Sequence, residues 1–561
     1  MNAATQKDYT ILLPIILLAG LLVLWITVRS FVVIVSGFVS IIFAQLLTLG
    51  FAGLFSFTVN QTSVMAFGLV FILTIADVLH LMSSYLINTK DGMEPHEAMS
   101  NSISKNLKPI FLTTVTTMLG FLSMNLSDSP PFAVLGNIAA IGLFCAFCSA
   151  VMMIPALIMF FKPAGLKAQV PLLQGFLMDI NKFSLDHSRA ITITFIVGTS
   201  LLALGITENR FHNDPVDYFA DTTPIGETTK FAIEKFNSKH SLVLSIDTQI
   251  DGGIFENRNI ETISQFTQWL YANPSVTSID SSIELFKTIN ASLNDNNLKW
   301  YTLPNNDQQL SDYYALFQMS TKDASPNVGF INADDSKTLL SINLKPLYNS
   351  ELIELANSAE KWFEDNAPHL KVSASGTSLT FAEIGLTLIT NMMGGALFTI
   401  FVITVVMTIA FRSLRIGIFS LLPNIIPAII AFGIWGLSVG KIDIAAASTF
   451  SLSLGIVVDD TIHFLFKYIE SRKEGREPRE AIEDTFMQVG VALFYTTLIL
   501  AVGLSIFAFS MFEPNATIAE MMLATATLAL VFDFLFLPIA LLKVDKWLLK
   551  GYLKEPVTKP V

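Results

Sequence analysis

Residues 455–468 read GIVVDDTIHFLFKY, and residues 72–85, offset by 383 positions, read ILTIADVLHLMSSY. Each string is part of an apolar run of membrane length, yet each sets an acid, Asp77 or Asp460, three residues before a histidine, His80 or His463. Tyr85 and Tyr468 complete the correspondence. The same offset pairs Arg29 with Arg412, Gly50 with Gly433, Glu94-Pro95 with Glu477-Pro478, Thr113-Thr114 with Thr496-Thr497, and Pro155 with Pro538. A register held without a gap across so many positions marks a duplicated multi-helix unit. Ionisable groups at matching depth in such a repeat point to a membrane transporter.

Composition agrees. Hydrophobic residues make up 52% of the 561 positions and charged residues only 14%, too little polar surface for a soluble protein. The net charge of -12 resides mostly in one polar stretch, and nothing in it suggests nucleic-acid binding. A membrane crossing takes about 20 apolar residues. Such runs occur near 10–28, 31–55, 64–87, 109–127, 133–161, 189–206, 389–411, 415–437, 445–468, 488–511 and 516–542, eleven spans in all. The first run has no cationic leader and is too long for a signal-peptide core, so it reads as a retained helix.

Lys and Arg collect on the cytoplasmic side of a membrane. Arg29, Lys90, Lys105, Lys162, Arg412, Arg415, Arg472 and the tail from Lys543 fall on one side, whereas the opposite short loops carry only Lys441. This puts the C-terminus inside and the 207–385 stretch outside, in a multi-pass protein of the cytoplasmic, or inner, membrane. The organisation expected is a first five-helix block over 1–162, a cytoplasmic linker over 163–188, a single helix over 189–206, an extracytoplasmic domain over 207–385, a second five-helix block over 386–545 and a cytoplasmic tail over 546–561. Leu172, Leu173, Phe176, Leu177, Ile180 and Phe183 recur at helical spacing in the linker, as in an amphipathic helix lying on the membrane surface; a buried connector helix is the alternative.

In the polar stretch, Ser241–Ile246 alternates as a strand, Ile260–Leu270 has helical spacing and Ser275–Ile279 reads as a second strand. Lys337–Leu344, Ser350–Trp362 and Leu370–Ala374 repeat strand, helix, strand. Two such units predict a small α/β sandwich of ferredoxin-like type, with 283–335 as an elaborated loop containing some helix. It shows no metal-ligand spacing and no nucleophile constellation, and His212 and His240 acquire no role.

The chemistry sits in the apolar helices. Asp77 and Asp459-Asp460 fall slightly past the middle of their spans, where a charged carboxylate costs on the order of 3 kcal/mol and usually faces the bundle interior on an ion or proton path. Spacing of three puts His80 on the face of Asp77 and His463 on that of Asp460, so each pair can share a proton and the group titrates as a unit. A structural polar clamp is the plainer reading. It is stronger for the first copy, which has Ala76 where the second has Asp459 and Ile72 where it has Gly455. Thr113, Thr114, Thr496 and Thr497, one helix on, either hydrogen-bond the carboxylates or bond back to their own helices. Asp533, matched by Ala150 in the first copy, reads either as a second relay site or, the reading favoured here, as a residue near the wet cytoplasmic end, and Tyr85 and Tyr468 read as aromatic anchors at the membrane boundary. Cys145 and Cys148 read as small buried hydrophobes.

The sequence Gly455-Ile-Val-Val-Asp459-Asp460-Thr-Ile-His463, in the third helix of a five-helix block preceded by an outer α/β domain, resembles the resistance-nodulation-division (RND) superfamily. The nearest branch is the one with the MMPL proteins, hopanoid and lipid exporters, and sterol-sensing domains. The resemblance implies a porter-type outer domain and proton movement through the membrane acids. Asp459, Asp460, His463, Asp77 and His80 would form the relay, supported by the four threonines and the motif glycine Gly455. It implies no enzyme activity, no metal and no cofactor beyond the proton gradient, with a hydrophobic or lipid-like cargo and membrane lipids as partners. Against the family pattern the chain lacks the usual first helix and first outer domain, so transport would call for a homo-oligomer or a partner subunit. The function expected is proton-motive-force-driven efflux. The alternatives are a sterol-sensing-like lipid-binding regulator and an incomplete transporter fragment. Without a Gly-x-x-x-x-Gly-Lys loop, ATP drive is not expected.

Overall fold

The computed structural model describes residues 6, 8–90, 92–161, 171–304, 306–320 and 330–550. Residues 163–170 of the linker and 551–561 of the tail lie outside them. Two compact units divide the chain: Met1–Arg210 with Leu388–Val561, and Phe211–Thr387.

Among the described residues eleven helices are long and apolar enough to cross a membrane: Asp8–Val28, Phe31–Leu54, Val64–Thr89, Pro95–Leu126, Pro130–Phe161, Ser188–Glu208, Thr377–Phe411, Leu414–Ser438, Ile444–Lys473, Pro478–Phe507 and Glu513–Leu535. The number equals that read from the apolar runs. Burial sorts them. The Val64–Thr89 and Ile444–Lys473 helices, which carry the acid–histidine strings, are 83% and 78% buried across their most apolar windows, against 11% for Ser188–Glu208. The two acid-bearing helices therefore form the centre of the bundle, and the others shield them. They are exchanged in their packing: Ile444–Lys473 lies against Pro95–Leu122 of the first half, and Val64–Lys90 against Val491–Phe507 of the second.

Small residues allow this density, since apolar helices in lipid associate by close packing and not by a hydrophobic force between them. At Gly433 and Gly436 an added Cβ would run into the backbone carbonyls of Leu202 and Gly205, so only glycine lets those helices meet there. The linker helix Pro171–Asp186 divides its apolar residues. Leu173, Leu177 and Ile180 pack on the bundle, whereas Phe176 and Phe183 are exposed. Ser184 ties the helix down by donating to the Leu535 carbonyl at 2.6 Å.

The second unit is built on a four-stranded antiparallel sheet with strand order Val276–Asp280, Lys337–Leu344, His240–Asp247, Lys371–Ser375. The helices Asn257–Tyr271 and Asn349–Asn366 follow the first and third strands in sequence. Period-two alternation sends Leu242, Leu244 and Ile246 to one face, where they join Phe266, Phe286 and Phe363 in the core. The 283–335 stretch contributes helices Ser282–Leu293 and Asp307–Ser320; residues 305 and 321–329 lie outside the described set.

Candidate functional site

Asp443 begins the central helix by accepting the Ala446 amide at 2.7 Å, which satisfies one of the helix's orphan donors. About three turns on, Gly455 meets the Pro95–Leu122 helix. A Cβ on Gly120 would lie 2.9 Å from the Gly455 Cα, and Thr117 donates across the contact to the Gly455 carbonyl at 2.7 Å. The motif glycine thus fixes the distance between the halves, and Asp459 and Asp460 follow one turn later.

There the two copies of the string meet. The His80 and His463 rings stack with centroids 3.9 Å apart and planes 4° from parallel. His463 Nε2 is 3.6 Å from Asp459 Oδ1, too long for a hydrogen bond. This corrects the expected His463–Asp460 pairing: the carboxylate four residues back, not three, faces the ring. Both Nε2 atoms are buried without a hydrogen-bond partner among the described residues. Asp77 lies within electrostatic range of Asp459, so acids of both copies share one site.

The threonines divide. Thr497 donates to Asp460 Oδ2 at 2.9 Å and Thr496 approaches Oδ1 at 3.4 Å. Thr114 instead bonds back to the Ile110 carbonyl at 2.8 Å. Thr113 also bonds back to Ile110, at 2.9 Å, and lies beside Asp459 of the other copy, not Asp77. A cavity of about 20 Å³ adjoins Asp459, Asp460, Thr496 and Thr497, room for one or two waters.

One ring nitrogen each of His80 and His463 and one Asp459 oxygen lie within 4.8 Å of one another, a His/His/Asp donor set. Imidazole lone pairs lie in the ring plane, however, and two rings 4° from parallel do not aim them at one point, so the residues as arranged do not fit a metal.

Two readings change. Asp533 is completely enclosed and accepts from Thr461 at 3.4 Å, so it is no wet terminal residue; its helix ends there, but neighbouring helices cover it. Tyr85 and Tyr468 are likewise buried and are not membrane-boundary anchors. Tyr468 donates to Asp545 Oδ1 at 2.6 Å, and Arg472 grips the same carboxylate through Nε at 2.9 Å and Nη2 at 2.8 Å.

The α/β unit holds a cluster that its sequence spacing did not announce. Lys239 Nζ bridges Asp217 Oδ1 at 2.6 Å and Asp214 Oδ2 at 3.1 Å, His212 Nε2 is 3.0 Å from Asp217 Oδ2, and His240 Nδ1 is 3.8 Å from Asp214. Desolvation pushes the Asp217 carboxyl up, but hydrogen bonds from His212 and Lys239 outweigh it and hold the group well below the usual carboxylate range. Desolvation pushes Lys239 down, and its two aspartates outweigh that and raise it. His240 is lowered by desolvation, which exceeds the pull of Asp214. The ammonium occupies the place a cation would take between these acids.

The sequence matches the MMPL family over residues 1–175 and 302–543. It is 36% identical over 101 residues to a membrane protein of Methanocaldococcus jannaschii, covering 18% of this chain and 26% of that one. It is 27% identical over 203 residues to the hopanoid transporter HpnN of Rhodopseudomonas palustris, covering 36% of this chain and 23% of that one. The matches thus span about a quarter of these relatives' lengths. The fold is similar to that of SecDF, a translocon-associated membrane protein from Thermus thermophilus, with a TM-score of 0.60 at 13% identity, covering 97% of this chain and 62% of SecDF.

Proposed function

The chain belongs to the MMPL family, and from that premise we propose that it is a proton-driven, RND-type exporter component for a hydrophobic or lipid-like cargo. Asp459, Asp460, Asp77, His80 and His463 act as its proton relay. The observation that carries the reading is the meeting of the two acid–histidine strings: His80 stacks on His463, His463 faces Asp459, and a water-sized cavity adjoins Asp459 and Asp460. A structural clamp would close its polar atoms upon one another, whereas both histidine Nε2 atoms remain unsatisfied. Like charges so close repel, so the acids take up and release protons as a unit. Each proton crossing the membrane delivers about 2.3 kcal/mol per 100 mV, enough over a few protons to drive a rearrangement.

Thr496 and Thr497 hold the Asp460 carboxylate in place. The two helical blocks rock against each other at the Gly120–Gly455 contact, as repeats do in alternating access. The strand order of the α/β unit supports a ferredoxin-like, porter-type domain, and the Lys and Arg distribution supports an extracytoplasmic place for it, with the C-terminus in the cytoplasm of an inner-membrane protein. No enzymatic step and no bound cofactor belong to this mechanism. A lipid cargo rests on the resemblance to the hopanoid transporter, and assembly as a homo-oligomer or with a partner subunit belongs to the same reading.

The test is complementation of a deletion strain with wild-type protein or with Asp460→Asn, followed by mass spectrometry of membrane lipids. An exporter predicts that the variant fails to restore the lipid profile and that an uncoupler reproduces the failure. Full complementation by the variant sinks the proton relay and favours the lipid-binding regulator.

A further inference from the structure

Asp533 is a membrane-depth carboxylate that the relay above does not use. It is fully enclosed, and its Oδ2 has no hydrogen-bond partner among the described residues. A structural clamp at this depth would satisfy both oxygens, because an unpaired buried polar group is costly. Its Oδ1 accepts from Thr461 at 3.4 Å, the residue next to Asp460. The Thr461 hydroxyl also lies 3.2 Å from Asn424 Oδ1, so it can turn between partners.

The helix bearing Asp533 supplies the second observation. Ala526, Ala529 and Asp533 follow at spacings of three and four and lie on one helix face. Ala526 and Ala529 wall the cavity that adjoins Asp460, and Asp533 stands one turn beyond them, toward the end of its helix at Leu535. Among the described residues the charged group acting on it is Asp460; Thr461 and Asn424 are neutral, and Phe195 approaches the neighbouring Phe532 with centroids 5.5 Å apart. The first copy has Ala150 at the matching position, so the feature belongs to one half only.

We infer that Asp533 is the carboxylate that receives the proton from Asp460 on its way out of the membrane core. The inference rests on the proton-driven reading above. In the transfer the O–H bond of protonated Asp460 breaks and its proton passes to a cavity water or to the Thr461 hydroxyl. That group releases a proton of its own, and a new O–H bond forms on Asp533. The negative charge moves from Asp533 to Asp460. Loss of the proton from Asp533 toward the cytoplasm resets the pair.

The experiment is pH-dependent infrared difference spectroscopy on the full chain in lipid nanodiscs, reading the C=O stretch of protonated carboxyl groups. It is paired with proton uptake by liposomes containing the chain and its native lipid extract. Asp533→Asn is expected to remove one titrating band and to lower proton uptake at least tenfold, and Asp533→Glu to restore a band. Asp460→Asn is expected to move the midpoint of the Asp533 band. Thr461→Val, which leaves both acids in place, is expected to slow uptake and serves if Asp533→Asn does not fold. If Asp460→Asn abolishes uptake while Asp533→Asn and Thr461→Val leave it intact, Asp533 is not the acceptor and the relay stands without it. If Asp460→Asn has no effect either, the proton-driven reading itself fails.

Discussion

The imidazoles of His80 and His463 lie 3.9 Å apart and 4° from parallel, although 383 residues separate them in the chain. Equivalent positions of a repeat come into contact where the two copies face each other, so this stack marks the internal axis of the bundle. Both rings are buried, and a change in either is felt by both halves. Replacing His463 with Phe keeps a ring of similar size in the stack and removes its nitrogens. The expected outcome is a variant that melts within about 1.5 kcal/mol of wild type but no longer takes up protons; unaltered proton uptake would leave the stack a packing feature alone.

Thr497 makes the shortest hydrogen bond to Asp460, at 2.9 Å, while Thr496 at 3.4 Å contributes less. A bond to an ionised group is worth about 1.5–3 kcal/mol, so Thr497→Val should slow proton uptake by roughly tenfold or more. Thr496→Val should do less, and Thr114→Val least, because the Thr114 hydroxyl donates to the Ile110 carbonyl of its own helix. Initial uptake rates at a fixed gradient give the ranking.

The contact between the halves at Gly120 and Gly455 is asymmetric. A Cβ on Gly120 meets the Gly455 Cα at 2.9 Å and the Ser451 carbonyl oxygen at 3.1 Å, whereas a Cβ on Gly455 has its nearest atom at 3.2 Å. Overpacking costs about 1–3 kcal/mol, more than the helix-propensity gain of about 1 kcal/mol from Gly to Ala. Gly120→Ala should therefore lower thermal stability in detergent, and Gly455→Ala should lower it less. The reverse order would show that the helices separate more readily than this geometry allows.

Much of this was legible in the sequence because it rests on periodicity. Apolar runs mark the spans, alternation marks the strands, and a constant offset marks the repeat, all of them local or self-similar signals. The pairing of His463 was not legible. Spacing along a helix says that residues three and four back share a face with it, but not which one a neighbouring helix leaves available. The wet-end reading of Asp533 and the anchor reading of Tyr468 fail for a related reason. Counting along a helix gives depth, while enclosure depends on other helices; Tyr468 is covered by the segment that bears Asp545. The cluster of His212, Asp214, Asp217, Lys239 and His240 comes from two stretches without any ligand spacing, brought together only when His240–Asp247 enters the sheet.

Arg472 holds Asp545 through two hydrogen bonds, at 2.9 and 2.8 Å, and Tyr468 adds a third at 2.6 Å. Asp545 belongs to the helix Leu537–Leu548, so this latch fastens the last described helix to the central one. Removing one partner of a buried ion pair leaves the other uncompensated and costs about 3–5 kcal/mol. Arg472→Ala should loosen Leu537–Leu548, with faster amide exchange there than in wild type, and Tyr468→Phe should cost about 1 kcal/mol. Unchanged exchange in Arg472→Ala would mean that apolar packing alone secures the helix.

The cluster around Lys239 makes the α/β unit sensitive to acid. Hydrogen bonds from His212 and Lys239 overcome the desolvation of Asp217 and depress its folded-state titration. Its contribution is therefore complete above the unfolded value of about 3.9 and disappears as the pH falls through the lower folded-state value. Replacing Asp217 with Asn removes that titration, so the variant should be less stable than wild type at neutral pH and flatter in its response between about pH 5 and pH 2. Replacing Lys239 with Met leaves the Asp214 and Asp217 carboxylates facing each other without the ammonium. The cost is about 2 kcal/mol, below that of a fully buried pair because the Asp217 side chain is 39% exposed and partly screened. Amide exchange in His240–Asp247 across the pH range reports both effects, and an Asp217→Asn curve parallel to that of wild type would remove Asp217 as the source of the acid sensitivity.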